Sequence, residues 1–265
     1  MSTLKNKIVF ITGASSGIGE ACAWHFAAQK ARLILTARRI DRLKKLATAL
    51  RRKYHVDILP MQLDVQNKSQ VFTTIEGLPK KWQKIDVLVN NAGLALSSTK
   101  IHEGDVVEWE TMVNTNVLGL LYVTRAILPN MVARNCGHII NIGSIAGREY
   151  YLTGNVYCAT KHAVKALNQS LRYDLVGTDI RVTEIAPGAT NTEFSTVRWK
   201  SKERADQFYS GFTALVADDI ANAVVYCAMR PSHVNVSEMV IYPTAQASPS
   251  CYHKRGQPKA KAFFE

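Results

Sequence analysis

Tyr157 and Lys161 stand four residues apart, the spacing that brings two side chains out of one face of a helix. A phenol with a pKa near 10 is a poor base at neutral pH, and lowering that value by about three units takes roughly 4 kcal/mol. An ammonium ~4 Å away supplies about that much at an effective dielectric of ~20. The pair can therefore serve as a general base and, once protonated, as a general acid. A second chemically suggestive stretch is Thr12-Gly13-Ala14-Ser15-Ser16-Gly17-Ile18-Gly19, which runs from a β-branched segment into a helix-forming one. Glycines at such a turn let the backbone approach a pyrophosphate, with the unpaired N–H groups of the helix facing its charge. Further on, Thr36-Ala37-Arg38-Arg39 ends the next apolar run with two guanidiniums and no carboxylate before Asp41. An acid at that place would bind a ribose 2′-hydroxyl, whereas Arg38 and Arg39 can hold a 2′-phosphate bidentately.

These residues need elements to position them. Short runs rich in β-branched side chains recur at 8–12, 33–36, 58–63, 87–89, 139–142, 182–185 and 239–242. Longer stretches suited to helices lie between them, at 18–29, 40–54, 106–131 and 156–176. Strands alternating with helices imply a parallel, doubly wound sheet in an α/β domain, with helices on both faces. In that arrangement the glycine turn, the arginines and Ser144, which follows the run 139–142, all emerge at the C-terminal edge of the sheet, where ligands bind. No linker divides the chain. Periodicity fades from Ser248, so a single domain over 1–247 with a basic tail over 248–265 is expected.

Gly13-x-x-x-Gly17-x-Gly19, Asn90-Asn91-Ala92-Gly93 and Tyr157-x-x-x-Lys161, in that order, resemble the short-chain dehydrogenase/reductase family. Gly154–Tyr157, Thr192–Ser195, Val197–Lys200 and Pro243–Gln246 are similar to its NADP-dependent 3-hydroxy acid (serine or allo-threonine) dehydrogenases. The resemblance implies a Rossmann-type domain whose seven-stranded parallel sheet has the order 3-2-1-4-5-6-7, with a substrate lid near 189–212. It assigns Ser144, Tyr157 and Lys161 to catalysis, with Asn116 anchoring a water in the proton relay. Lys161 would also bond the nicotinamide ribose. Gly13, Ser15, Ser16, Gly17, Ile18 and Gly19 would cradle the cofactor. Asp64 and Val65 would border its adenine, Asn91 and Gly93 its adenosine ribose, and Pro187, Gly188 and Thr192 its nicotinamide end. With Arg38 and Arg39 in place of an acid, the expected cofactor is NADP(H). Small 3-hydroxy acids, among them serine, allo-threonine, 3-hydroxyisobutyrate and 3-hydroxypropionate, would be the substrates, and a homotetramer the assembly. A carboxylated substrate needs a cation, for which Arg198, ahead of Arg148, is the candidate. A broad NADPH carbonyl reductase of uncharged ketones, sugars or pteridines is the alternative.

Composition narrows the remaining classes. The chain has 265 residues, 47% of them hydrophobic and 20% charged, which suits a folded globular protein. No apolar run reaches the ~18 residues of a membrane helix, and Ile8–Ile11 is too short for a targeting segment. Five scattered cysteines without paired spacing fit reduced thiols in a cytoplasmic protein and give no metal-ligand pattern. The net charge of +12 could signal a nucleic-acid partner. However, ten Lys/Arg against one acid fall between residues 30 and 53, around the proposed phosphate site. Attraction of a polyanionic cofactor explains that cluster, and no nucleic-acid partner is expected.

Overall fold

In a computed structural model, which describes residues 3–255, seven strands form one parallel sheet. They are β1 (Ile8–Thr12), β2 (Arg32–Ala37), β3 (Ile58–Gln62), β4 (Val87–Asn90), β5 (Gly137–Ile142), β6 (Ile180–Pro187) and β7 (Glu238–Ile241). Their order is β3-β2-β1-β4-β5-β6-β7, as the resemblance implies. The pairing β1–β2 aligns Val9 with Leu33, and β1–β4 aligns Val9 with Val87, so β1 lies in the middle and the chain reverses its winding there. The crevice beside the C-terminal end of β1 is where this topology places a ligand.

Side chains alternate across each strand, so the sheet has a core on each face. Val9, Ile11, Leu33 and Leu35 point to one side, where α1 (Gly17–Ala28), α2 (Ile40–Tyr54) and α9 (Ala217–Ala228) cover them with Phe26, Leu50 and Val224. Ile8, Phe10, Ile34 and Leu88 point to the other, against Val71 of α3 (Lys68–Glu76) and Val123 and Ile127 of α5 (Leu120–Ala133). The sequence suggests one helix over 106–131. The structure instead shows α4 (Val106–Val113), a π-helical turn Asn114–Gly119, and α5. By length and composition Val106–Ala133 would pass for a membrane span. Met112, Leu120, Val123 and Met131 of this stretch are buried within the fold.

α6 (Asn155–Asp174) carries Tyr157 and Lys161 in its first two turns. Beyond β6 come two short helices, α7 (Glu193–Trp199) and α8 (Lys202–Tyr209), and a parallel pairing of Thr190–Asn191 with Leu215–Val216. These elements make up the stretch expected as a lid. Ser248 does not begin a featureless tail: Gln246–Ser248 pairs antiparallel with Cys251–Tyr252, and the Arg255 amide donates to the Gly211 carbonyl at 2.8 Å. The rest of the expected tail, 256–265 with Lys259 and Lys261, lies outside the described residues.

Candidate active site

A cavity of about 850 Å³ opens at the C-terminal edge of the sheet. Of the site residues expected from the sequence, all but Gly19, Asn116 and Arg148 line it. The glycine turn forms one end. Gly13 and Gly17 adopt φ of 65° and 55°, in the left-handed region that glycine enters without strain. Gly19 is needed for close approach, because a Cβ there would collide with Asn91 Nδ2 and the Gly13 carbonyl. Asn91 spends its side-chain amide on this loop, donating to the Thr12 and Gly13 carbonyls at 2.9 and 3.2 Å, while the Thr12 hydroxyl accepts from the Asn91 and Ala92 amides. The ends of β1 and β4 are thereby locked together, and Gly17 and Ile18, which open α1, line the cavity.

Arg39 crosses from the end of β2 to this loop. Its Nε donates to Ser15 Oγ at 3.2 Å and its Nη2 to Ser16 Oγ at 2.7 Å, while Arg38 stays exposed at the rim. Two arginines and two hydroxyls beside a glycine cradle fit the 2′-phosphate and pyrophosphate of NADP(H). Asp64 and Val65 line the cavity where β3 ends. Thr192, the N-cap of α7, leans over the loop so closely that a Cβ on Gly17 would meet it at 3.3 Å.

The catalytic candidates gather at the middle of the cavity. Ser144 follows β5 and is buried at 9% exposure, its hydroxyl accepting from the Ala146 amide and hydrogen-bonded to Tyr157. Lys161 is buried at 7% exposure and donates to the Ile142 carbonyl at 2.9 Å. Its Nζ lies 5.9 Å from the centre of the Tyr157 ring. Burial raises the Tyr157 pKa well above 10, while the Ser144 hydrogen bond and the charge of Arg198 pull it down. Burial also pushes Lys161 down to about 8, opposed only by Glu184. In this arrangement, without the positive nicotinamide ring beside it, burial favours the neutral phenol of Tyr157.

Asn116 sits on the π-helical turn, a distortion that re-aims side chains out of an otherwise regular helix. Its amide is bonded to the backbone of Leu94 on both sides and to Thr160 Oγ1 at 3.1 Å. A Cβ on Gly93 would lie 3.3 Å from Asn116 Oδ1 and 3.7 Å from Lys161 Nζ, so the three converge.

The two arginines considered for a substrate carboxylate part company. Arg148 does not line the cavity. Its guanidinium forks onto Glu184 at 3.1 and 3.0 Å, reaches Glu238, and donates to the Ser144 carbonyl at 3.2 Å. The reason is the fully buried Glu184 on β6, which needs a countercharge and lies 36 residues away in sequence. Arg198 faces the cavity, with its guanidinium 5.3 Å from the Tyr151 ring centre and 5.8 Å from that of Tyr157. Among the described residues it bonds the Ser97 carbonyl at 3.4 Å and the Tyr151 hydroxyl, and no carboxylate pairs with it.

Other contributors were not singled out from the sequence. Phe194 tilts onto Tyr157 at 5.8 Å, and Tyr151 links Arg198 to Cys158. Gln246 accepts from the Ala189 amide at 2.8 Å and donates to the Tyr252 hydroxyl at 2.8 Å, tying the start of the lid to the C-terminal hairpin. Its place in the Pro243–Gln246 stretch was the only signal in the sequence that could have pointed to it.

This fold and site define a nucleotide-dependent oxidoreductase. The family model for short chain dehydrogenase matches residues 7–203, and the chain belongs to that family. An NADP-dependent 3-hydroxy acid dehydrogenase of Schizosaccharomyces pombe is 41% identical over 257 residues, covering 96% of this chain and 99% of its own. NADP-dependent 3-hydroxy acid dehydrogenase YdfG of Salmonella typhi is 47% identical over 242 residues, covering 91% and 96%. A solved structure, the closed form of serine dehydrogenase complexed with NADP+, superposes with a TM-score of 0.87 at 44% identity, covering 94% of this chain and 99% of that one.

Proposed function

We propose that the protein is an NADP(H)-dependent dehydrogenase that interconverts the 3-hydroxyl and 3-oxo groups of small 3-hydroxy acids. The observation that carries the acid specificity is Arg198: a cavity-facing guanidinium with no carboxylate partner among the described residues, beside the catalytic tyrosine. The names of the similar proteins support the same reading. The cofactor is NADP(H), for which Arg38, Arg39, Ser15 and Ser16 provide the 2′-phosphate site and the glycine turn the pyrophosphate site.

When bound, the nicotinamide supplies the hydride acceptor or donor. Ser144 and Tyr157 hold the reacting oxygen between their hydroxyls, and Tyr157, kept protonated by burial, gives its proton as the carbonyl becomes a hydroxyl. In the opposite direction Tyr157 must take that proton, and Arg198 and the Ser144 hydrogen bond are the charges and dipoles that favour its anion. Lys161 and Asn116, converging at Gly93, provide the route by which the proton is exchanged with solvent. Arg198 takes the carboxylate and so orients the 3-carbon towards Tyr157. The aromatic wall of Trp199, Phe208 and Tyr252 favours the second reading, a carbonyl reductase of uncharged ketones.

An activity panel separates them: L-serine, allo-threonine, 3-hydroxyisobutyrate, 3-hydroxypropionate and neutral alcohols, with NADP+ and with NAD+. The acids should be preferred with NADP+. Arg198→Ala should raise KM for the acids on the order of tenfold to a hundredfold, the scale of one charged hydrogen-bond pair, and leave KM for the alcohols unchanged, while kcat for both falls as Tyr157 loses a charge that favours its anion. Equal effects on KM for both would refute the assignment of Arg198.

A further inference from the structure

Glu193, in the first turn of α7, reaches out of the lid to the residues read above as the 2′-phosphate site. Its Oε2 accepts from Arg39 Nη1 at 3.0 Å and its Oε1 from Arg42 Nη1 at 2.7 Å. Three of the five N–H groups of Arg39 are then engaged: Nε and Nη2 serve the two loop hydroxyls, and Nη1 serves Glu193. A phosphate held bidentately needs two N–H groups on one edge of the guanidinium; the hydroxyls take the Nε and Nη2 side, and Glu193 competes for Nη1, the remaining nitrogen of the fork. Ser15 and Ser16 belong to the loop that holds the rest of the nucleotide, whereas Glu193 comes from the lid through pairs that are about half exposed on both sides. Such pairs are individually weak, and a phosphate dianion beside the carboxylate repels it.

The far side of α7 faces the substrate. Phe194 leans on Tyr157, and Arg198 lies over Tyr151 and Tyr157. One short helix therefore spans the phosphate arginines and the catalytic tyrosine.

We propose that Glu193 is a cofactor-specificity residue: its carboxylate occupies the arginine fork that a 2′-phosphate needs, so a nucleotide carrying that phosphate unlatches the lid helix and one lacking it does not. The proposal rests on the NADP(H) reading of Arg39. Linkage makes it reciprocal, since a latch that opposes the phosphate is opposed by it to the same extent.

The test uses the full chain with 2′,5′-ADP and 5′-AMP, which differ only in the phosphate at issue. Calorimetry on the wild type, Glu193→Gln and Arg39→Ala gives the affinities, and amide hydrogen exchange over residues 193–209 reads the lid. With Glu193→Gln, 2′,5′-ADP should bind about threefold to tenfold more tightly, as removal of weak, half-exposed pairs implies, with 5′-AMP unchanged. In the wild type, 2′,5′-ADP and not 5′-AMP should speed exchange in the lid. In Glu193→Gln the lid should already exchange fast and respond to neither. If Glu193→Gln leaves 2′,5′-ADP unchanged or weakens it, or tightens both nucleotides alike, the latch is refuted. If the preference for 2′,5′-ADP over 5′-AMP survives Arg39→Ala intact, the phosphate site itself is misplaced and the latch falls with it.

Discussion

Replacing Arg148 with alanine tests whether the arginine four residues after Ser144 is a brace or a substrate ligand. The side chain it leaves behind, Glu184, is 1% exposed, and Arg148 itself is 13% exposed. Glu184 packs so tightly beneath Gly143 that a Cβ there would collide with its carboxylate, and its charge is felt by Lys161. Glu238, the second carboxylate on Arg148, is itself an anion and adds to the uncompensated charge when the guanidinium is removed. Removing one partner of a buried pair costs about 3–5 kcal/mol, because the other charge is left uncompensated. For a domain of this size each kcal/mol moves Tm by roughly 2–4 °C, so a fall of about 6–20 °C is expected by differential scanning fluorimetry. The double variant Arg148→Ala/Glu184→Gln should recover more than half of that fall, since a neutral amide needs no countercharge. In the folded single variant kcat should drop as the Ser144 carbonyl loses its donor, while KM for acids and for neutral alcohols moves in step. A Tm within about 3 °C of the wild type, no rescue by the second substitution, or a KM loss confined to acids would refute the brace.

Two further perturbations probe the site. Burial pushes Lys161 from 10.5 to about 8, so the folded state binds fewer protons than the unfolded chain between those values, and its charge weakens the fold in full below pH 8. Lys161→Met should therefore melt above the wild type at pH 7, with an advantage that shrinks as the pH climbs from 8 towards 10.5; an advantage that grows with pH contradicts the sign. Gly19→Ala forces a Cβ into the Gly13 carbonyl and Asn91, an overpacking of about 1–3 kcal/mol, and should weaken NADPH binding, followed by its fluorescence, tenfold or more. Unchanged affinity would mean that the turn yields without disturbing the nucleotide.

The strands and the glycine turn were legible because both are written locally, whereas the order of the strands in the sheet came from the family resemblance. Runs such as Ile8–Thr12 are β-branched and buried on both faces, and a glycine turn can follow such a strand in few ways. The outcome for Arg148 and Arg198 was not local. Ser144 and Arg148 are neighbours in sequence, and only the arrival of Glu184 on the adjacent strand decides that the guanidinium turns away from the cavity. The four-residue spacing of Tyr157 and Lys161 put both in the first two turns of α6, but gave no sign of the bond from Lys161 Nζ to the Ile142 carbonyl, which belongs to another element. The π-helical turn left no mark in a pattern that suits a plain helix over 106–131. A lid near 189–212 was expected from the family resemblance, but its elements and the C-terminal hairpin were not legible, because they are two to eight residues long, too short for periodicity to show. They are held instead by scattered single bonds, such as Trp199 Nε1 to Ser98 Oγ and Lys254 Nζ to the Phe208 carbonyl.

The hairpin also has a consequence for the order in which the molecule becomes competent. The cavity is lined by residues from Gly13 to Lys254, so its walls come from both ends of the chain. During synthesis the nucleotide cradle, the serine and the tyrosine all emerge before Gln246 and Tyr252 can close the substrate end. The substrate end of the cavity is therefore the last of its walls to be synthesised, after the whole nucleotide cradle and Arg198.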